Sequence, residues 1–223
     1  MNTPEHNPTF DANESIEDVI ITKYMDDVLE EETSKNVHLF CKKHSIPEKE
    51  FYAYFASIES LQQQIWVKFL ENTIQTLEAD STYHQYSDTN KLIAFYFTFF
   101  EVLTLNRSYV ATVLPNDVQA LKNLKQLTAL RPALKSFLDD GLTNTSMSFI
   151  NEQLATFTKP LLKETHWIQF LFVLHFWLND NSKGFEKTDV LIEKLVNTSQ
   201  ELKNTKPLES LLDLGKFLWK EKK

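Results

Sequence analysis

Glycine is almost missing from this chain. Only 3 of the 223 residues are Gly, and Gly141, Gly184 and Gly215 stand more than 30 positions apart; ordinary domains carry about 7 %. No glycine-rich loop can be assembled from them. That excludes the P-loop, the G-x-G-x-x-G dinucleotide fingerprint, the G-x-S-x-G nucleophile elbow and the kinase glycine loop, each of which needs closely spaced residues without a Cβ. Nucleotide-dependent enzymes are therefore unexpected, and with no other catalytic constellation in the chain, no enzyme activity and no cofactor are expected. Proline is also sparse, at 7, so tight turns are few and long helices with short connections are favoured over a sandwich or barrel. The single Cys41 permits no internal disulfide, and no basic segment followed by an apolar core opens the chain. A reducing cytoplasm is the expected compartment. The most apolar runs, Leu92 to Leu105 and Trp167 to Leu178, are shorter than the ~20 residues of a bilayer span and are interrupted by Glu101 and His175. No membrane span is expected, and both runs read as buried core helices.

Aromatic residues are abundant, with 17 Phe, 4 Trp and 7 Tyr. Charge is uneven. The net charge is -8, of which residues 1 to 70, with 13 acids and 6 lysines, contribute -7. Arginine is nearly as rare as glycine, confined to Arg107 and Arg131, although it is the side chain that most often clamps phosphate and reads guanine.

Hydrophobic spacing is helical throughout, and no segment alternates with period two, so the fold class expected is all-α. Residues 1 to 13 are polar and lack periodicity, as a disordered tail would. From Glu14, the positions Ile16, Val19, Ile20, Tyr24, Val28 and Leu29 make one amphipathic helix, with Asp26, Asp27, Glu30, Glu31 and Glu32 expected on its outer face. Thr33 or Ser34 is expected to cap a short second helix bearing Val37, Phe40 and Cys41. Pro47 suits the first turn of a third helix, PEKEFYAYF. Ser57 is a natural cap for a long fourth helix with Leu61, Ile65, Trp66, Phe69, Ile74 and Leu77 along it. A helix from Thr89 to Leu105 follows, then segments near 107 to 114, 116 to 139, 142 to 157, 160 to 179, 186 to 204 and 207 to 221.

Three short helices with a Ser-Ile-Pro break before the third have the layout of a helix-turn-helix. The stretch Lys42 to Leu61, KKHSIPEKEFYAYFASIESL, resembles without gaps the end of the TetR-family DNA-binding domain, with Tyr52, Phe55, Ser57 and Leu61 in the family's Tyr, Phe, Ser and Leu places. The resemblance implies a TetR-like all-α homodimer with four parts: a tail at 1–13, a helix-turn-helix domain at 14–56, a connecting helix at 57–80, and a ligand-binding and dimerisation domain at 81–223. Its last two long helices would form an intersubunit four-helix bundle. The partners implied are operator DNA and an apolar small molecule or lipid.

The departures from the family pattern fall on the DNA-facing side. Ser45 stands where the turn usually has glycine, Pro47 where a small polar residue starts the recognition helix, and Ile58 where a lysine follows the serine. A proline has no N–H to offer a phosphate. Glu48 and Glu50 flank Lys49, so two of three charges on the recognition helix repel DNA. Lys35, Lys42, Lys43 and Lys49 are the cations placed to meet a backbone, joined by Pro47 and Tyr52 through the resemblance. Two expectations follow: weak or atypical operator binding, or a retained fold that has lost DNA binding.

A second likeness covers Phe176 to Val196. Here Asp180, Ser182, Phe185 and Thr188 are similar in spacing to an Asp-x-Ser-x-x-Phe-x-x-Thr pattern in TetR-fold lipid-binding proteins that assist ubiquinone biosynthesis. It implies either a lipid or isoprenoid pocket in an accessory protein that does not bind DNA, or simply a capped connection between helices. The residues themselves favour the connection.

The candidate ligand-lining residues are Phe95, Phe99, Phe100, Leu103, Trp167, Phe170, Leu171, Leu174, His175 and Leu178, although most aromatic stripes at helical spacing are ordinary core. Glu101, set in an apolar run, needs a partner if buried. Arg107 is the expected one, as an ion pair or as a polar anchor for a ligand head group. His175 reads first as a hydrogen-bonded core histidine. His38, Cys41 and His44 have side chains that suit zinc, but His44 swings round the helix away from the other two and no fourth ligand is evident. No metal is expected, and no catalytic Cys-His pair is supported either.

Overall fold

The computed structural model describes residues 15–115, 117, 120–121, 124–142 and 166–204. All regular structure among them is helical. The N-terminal domain is built from α1 (Ile16–Leu29), α2 (Val37–His44) and α3 (Glu48–Tyr54). Ser15 caps α1 by accepting from the Asp18 amide at 3.1 Å. Asn36, rather than Thr33 or Ser34, caps α2, accepting from the Leu39 amide at 2.9 Å. Asparagine lies one residue before the first helical position, where its carbonyl oxygen meets an amide that has no intrahelical partner.

The turn between α2 and α3 pivots on Ser45, whose φ of 56° and ψ of 34° are left-handed. The chain reverses there because the Ile46 amide returns to the Cys41 carbonyl at 2.9 Å. A Cβ in this conformation crowds the following carbonyl, the strain a glycine avoids. Ser45→Gly is therefore expected to raise stability by about 0.5–1 kcal/mol; an unchanged urea midpoint would refute the strain.

The N-terminal core is aromatic. Phe40, Phe51 and Phe55 are buried together with Tyr24, Ile20 and Leu61. Phe40 and Phe51 meet edge to face with centroids 5.9 Å apart, a geometry that adds to plain burial.

Helix α4 (Ile58–Ala79) has 22 residues, a rod of about 33 Å. Ser57 starts it with a reciprocal capping box: its Oγ accepts from the Ser60 amide, and Ser60 Oγ accepts from the Ser57 amide. Two ties fasten α1 to α4. Gln62 Nε2 donates to the Tyr24 hydroxyl at 2.6 Å, and Lys68 pairs with Asp18 at 2.8 Å and Glu17 at 3.4 Å.

Helix α5 (Asp88–Leu105), capped by Ser87, packs along α4. The short α6 (Arg107–Val113) follows and packs on α1, so the first three helices meet the rest of the chain there as well as through α4. No single helix spans 116–139. Leu124 is extended, a 3-10 turn occupies Lys125–Leu127, and α7 runs over Leu130–Leu142. Pro132 explains the restart: it lacks an N–H and tolerates only the first turn of a helix, where that N–H would be unpaired anyway. Helix α8 covers the described residues 166–178, and α9 spans Glu186–Asn204, packing on α5. The expected helices at 142–157 and 207–221 lie almost wholly outside the described residues, as does the expected tail at 1–13.

Candidate functional site: the helix-turn-helix face and the aromatic core

The candidate DNA contacts lie on α2 and α3 and in the connections just before them. Lys35, Lys42, Pro47, Lys49 and Tyr52 are all exposed there. Lys43 is different. Its ammonium sits 2.7 Å from Asp27 Oδ1 and 2.8 Å from Glu32 Oε2. Hydrogen bonds to Asp27 and then Glu32 hold it above its ordinary pKa range. It is neutralised within the domain.

Asp27, expected on the outer face of α1, is buried at 1 % exposure. Its second oxygen lies 3.0 Å from His44 Nε2, so one carboxylate joins the end of α1 to two side chains of α2. A buried carboxylate is tolerated only with such partners. His38 is likewise engaged, 2.6 Å from Glu48 at the start of α3. His38 and His44 thus turn to different carboxylates. Cys41 is buried in the core, where burial raises its thiol pKa. Over α1–α3 and their connections, residues 15–57 hold 9 acids and 5 lysines, a net -4.

The second site is the aromatic interior between α5 and α8. Phe95, Phe99, Leu103, Trp167, Phe170, Leu171 and Leu174 are all buried, and ring contacts bring several of them together. Phe99 meets Phe170 edge to face at 5.4 Å, and Trp167 stacks on Phe170 at 5.5 Å. Phe100 bridges to Phe170 and to Trp177. Neither apolar run is buried all round. Leu105 on α5, and Ile168 and Phe172 on α8, face outward.

Glu101 is also exposed, so it lies outside the interior and needs no buried partner. The expected pair with Arg107 is replaced by another arrangement. Arg107 donates through Nη1 to the Trp177 carbonyl and through Nη2 to the Leu178 carbonyl, each at 3.2 Å. Its guanidinium lies 4.4 Å from the Trp177 ring centroid and 4.5 Å from that of Phe185. A guanidinium can satisfy two helix-end carbonyls while lying flat on aromatic faces. His175 is half-buried, and its Nδ1 has no hydrogen-bond partner among the described residues.

Other buried polar atoms share that condition. Trp66 Nε1 on α4, the Tyr96 hydroxyl on α5, the Tyr109 hydroxyl on α6 and Trp167 Nε1 on α8 find no partner among the described residues. Each such group forfeits about 1–3 kcal/mol relative to water. Tyr96 stands out because it is fully buried and lies in the aromatic interior. Sequence reasoning passed over it, although it stands four residues before Phe100 on the same helix face.

Residues 91–218, more than half of the chain, match the family model described as tetracyclin repressor-like, C-terminal domain. The chain belongs to the tetracycline repressor-like (TetR) family. No curated protein matches it in sequence. Within this TetR-like domain, the Asp180 motif closes a connection. Asp180 Oδ1 accepts from the Ser182 amide and hydroxyl at 2.9 and 2.7 Å, and Oδ2 accepts from the Thr188 amide and hydroxyl at the same two distances. Burial alone would raise this carboxyl, but the four hydrogen bonds outweigh it and bring it down to about 2. Gly184 and Phe185 both take positive φ, 63° and 61°, which turns the Phe185 ring back onto Trp177 and Arg107. All four motif residues thus serve the junction of α8 and α9. Among the described residues, no group of three or more His, Cys, Asp or Glu side chains is placed to hold a metal ion, and no helix is long and apolar enough to cross a membrane.

Proposed function

We propose that this TetR-family protein is a homodimeric transcriptional regulator that binds operator DNA weakly and takes an apolar ligand in its C-terminal bundle. The observation that carries the reading is the recognition helix. Phe51 and Phe55 anchor α3 in the core while Pro47, Lys49 and Tyr52 stand exposed on it, inside a chain whose C-terminal part matches a TetR-like domain. Regulators of this family typically dimerise and bind DNA and small molecules. The exposed Ile168 and Phe172 on α8, one turn apart, and Val190 on α9 support a dimer through these two helices, because water-facing apolar stripes of this kind mark interfaces.

Weak binding follows from the electrostatics. With Lys43 paired internally to Asp27 and Glu32, three lysines, Lys35, Lys42 and Lys49, remain to neutralise phosphates. The salt slope per monomer is then at most about -3, at roughly -0.9 per contact. Ligand in the bundle would act on DNA through α4, which starts beside the recognition helix and packs against α5 and α7. A shift of that rod changes the spacing of the paired recognition helices, and the two ligands oppose each other by linkage.

The test is a mobility shift with promoter fragments from the protein's own genome at about 50 mM salt, on a dimer verified by sedimentation. Retarded bands that weaken with Tyr52→Ala or Lys49→Ala are the expected result. Absence of any shift by the verified dimer overturns the regulator reading. The capture of Lys43 would then favour a ligand-binding accessory protein on the same fold.

A further inference from the structure

Helix α6 is too short to hold itself. It has 7 residues, and isolated helices below ~12–15 residues are marginal in water. Tertiary ties must therefore fix where it lies, and they come from two sides. On one side Arg107 grips the end of α8 through the Trp177 and Leu178 carbonyls and lies on the Trp177 and Phe185 rings. On the other, α6 packs on α1. Tyr109 and Val110 of α6 are buried, and the Tyr109 hydroxyl is pushed above its ordinary range by burial and then by the nearby Tyr24 hydroxyl of α1. Tyr24 in turn accepts from Gln62 of α4 at 2.6 Å. Helices α1, α4 and α6 thus meet at one side chain.

From α1 the connection runs on into the helix-turn-helix. Asp27, buried near the end of α1, holds Lys43 and His44 of α2 at 2.7 and 3.0 Å. Phe40 then packs α2 on Phe51 of α3. Each step from the end of α8 to the recognition helix is a hydrogen bond, an ion pair or a packed surface. The rod α4 supports the same three helices by a separate route. A body carried on one rod can still rock about it, and a second strut stops that motion.

We propose that Arg107 is a positioning residue for the recognition helix: by pinning α6 to the end of α8 it braces α1, and so fixes the direction in which α3 is presented relative to the bundle. The proposal deepens the regulator reading and rests on it only for the step to operator DNA. In a dimer formed through α8 and α9, the brace refers each recognition helix to the dimer interface. A broken brace leaves α3 to be ordered at the moment of binding, at a cost in affinity.

Double electron–electron resonance in the full chain reads the brace without DNA. Spin labels are placed on Ala53→Cys of α3 and Asn90→Cys in the first turn of α5, both exposed positions. The buried Cys41 is replaced by alanine, and labelled protein is diluted with unlabelled so that only distances within one chain contribute. One narrow distance distribution is expected for the parent. Arg107→Ala is expected to broaden it, and Arg107→Lys to broaden it less, since lysine keeps the charge without the planar fork. Ile192→Ala, at a fully buried position of α9, which packs on α5, loosens the bundle elsewhere and is expected to leave the width unchanged. An unchanged width in both Arg107 variants, or an equal broadening by Ile192→Ala, overturns the proposal. If Arg107→Ala does not fold, Arg107→Lys decides alone. In mobility shifts Arg107→Lys is expected to weaken operator binding about 5-fold at an unchanged salt slope, because no phosphate contact is lost. Unaltered affinity or an altered slope overturns the positioning role. A wild type that shifts no DNA overturns the regulator reading instead, and the distance widths still decide the brace.

Discussion

Replacing Arg107 with alanine is expected to cost the fold about 4 kcal/mol, read as a lowered urea midpoint at unchanged slope. The side chain donates two hydrogen bonds to the carbonyls of Trp177 and Leu178, at the end of α8, where carbonyls have no intrahelical partners and the helix dipole is negative. Hydrogen bonds to a charged group contribute about 1.5–3 kcal/mol each when well shielded. Arg107 is half-exposed, so the lower end applies. Its contact with the Trp177 and Phe185 rings adds about 0.5–1 kcal/mol per face. Lysine keeps the charge but has neither the planar fork nor the flat face. Arg107→Lys should therefore recover less than half of the loss. Full recovery by lysine would show that charge alone matters and would refute the clamp. Because Arg107 opens α6, and α6 packs on α1, faster hydrogen exchange is expected at 107–113 as well as around 177–186.

Asp180→Ala is expected to destabilise the protein by about 2 kcal/mol at pH 7, with a pH dependence of definite sign. The folded carboxyl is held at about 2, against an ordinary 3.8, so the ionised form is favoured in the folded state. Each unit of such a shift corresponds to about 1.4 kcal/mol. The stabilisation is fully present above the unfolded pKa near 4 and is lost as pH falls toward the folded value of about 2. The gap between wild type and Asp180→Ala should therefore narrow by about 1 kcal/mol between pH 7 and pH 3. A gap that stays constant over that range would mean the carboxylate is no better bound in the folded state than in the unfolded one. Thr188→Val, which removes one hydroxyl donor and leaves the amide, should lose a smaller share. Arg107 and Asp180 brace the same turn, so the double variant should lose less than the sum of the single ones.

Much of the architecture was legible in the chain. Ser57 is a strong cap, and the run from Ile58 keeps helical spacing through Leu77, so α4 was readable to its ends. Phe40, Phe51 and Phe55 sit at the spacing of a three-helix core and are buried there. The break after Leu124 was missed because propensity favours helix on both sides, and the restart before Pro132 is a backbone constraint that hydrophobic spacing does not register. Asn36 as the cap of α2 was missed by two or three residues, a common margin at helix ends.

The polar partners were far less legible. Asp27 looked like one more acid on an acidic face, yet it is buried with Lys43 and His44, which lie 16 and 17 residues away. Glu101 and Arg107, close in sequence, turn to water and to α8 respectively. The class of the fold, the helix-turn-helix skeleton and the acidity of the N-terminal part follow from the chain alone, because caps, turn residues, periodicity and net charge are local or additive. Which charges are neutralised internally, which aromatic faces meet, and which buried donors stay unpaired among the described residues came from how the helices pack. An ion pair or a ring contact depends on two surfaces meeting in space, and spacing along one helix says which face is apolar but not what the neighbouring element brings to it.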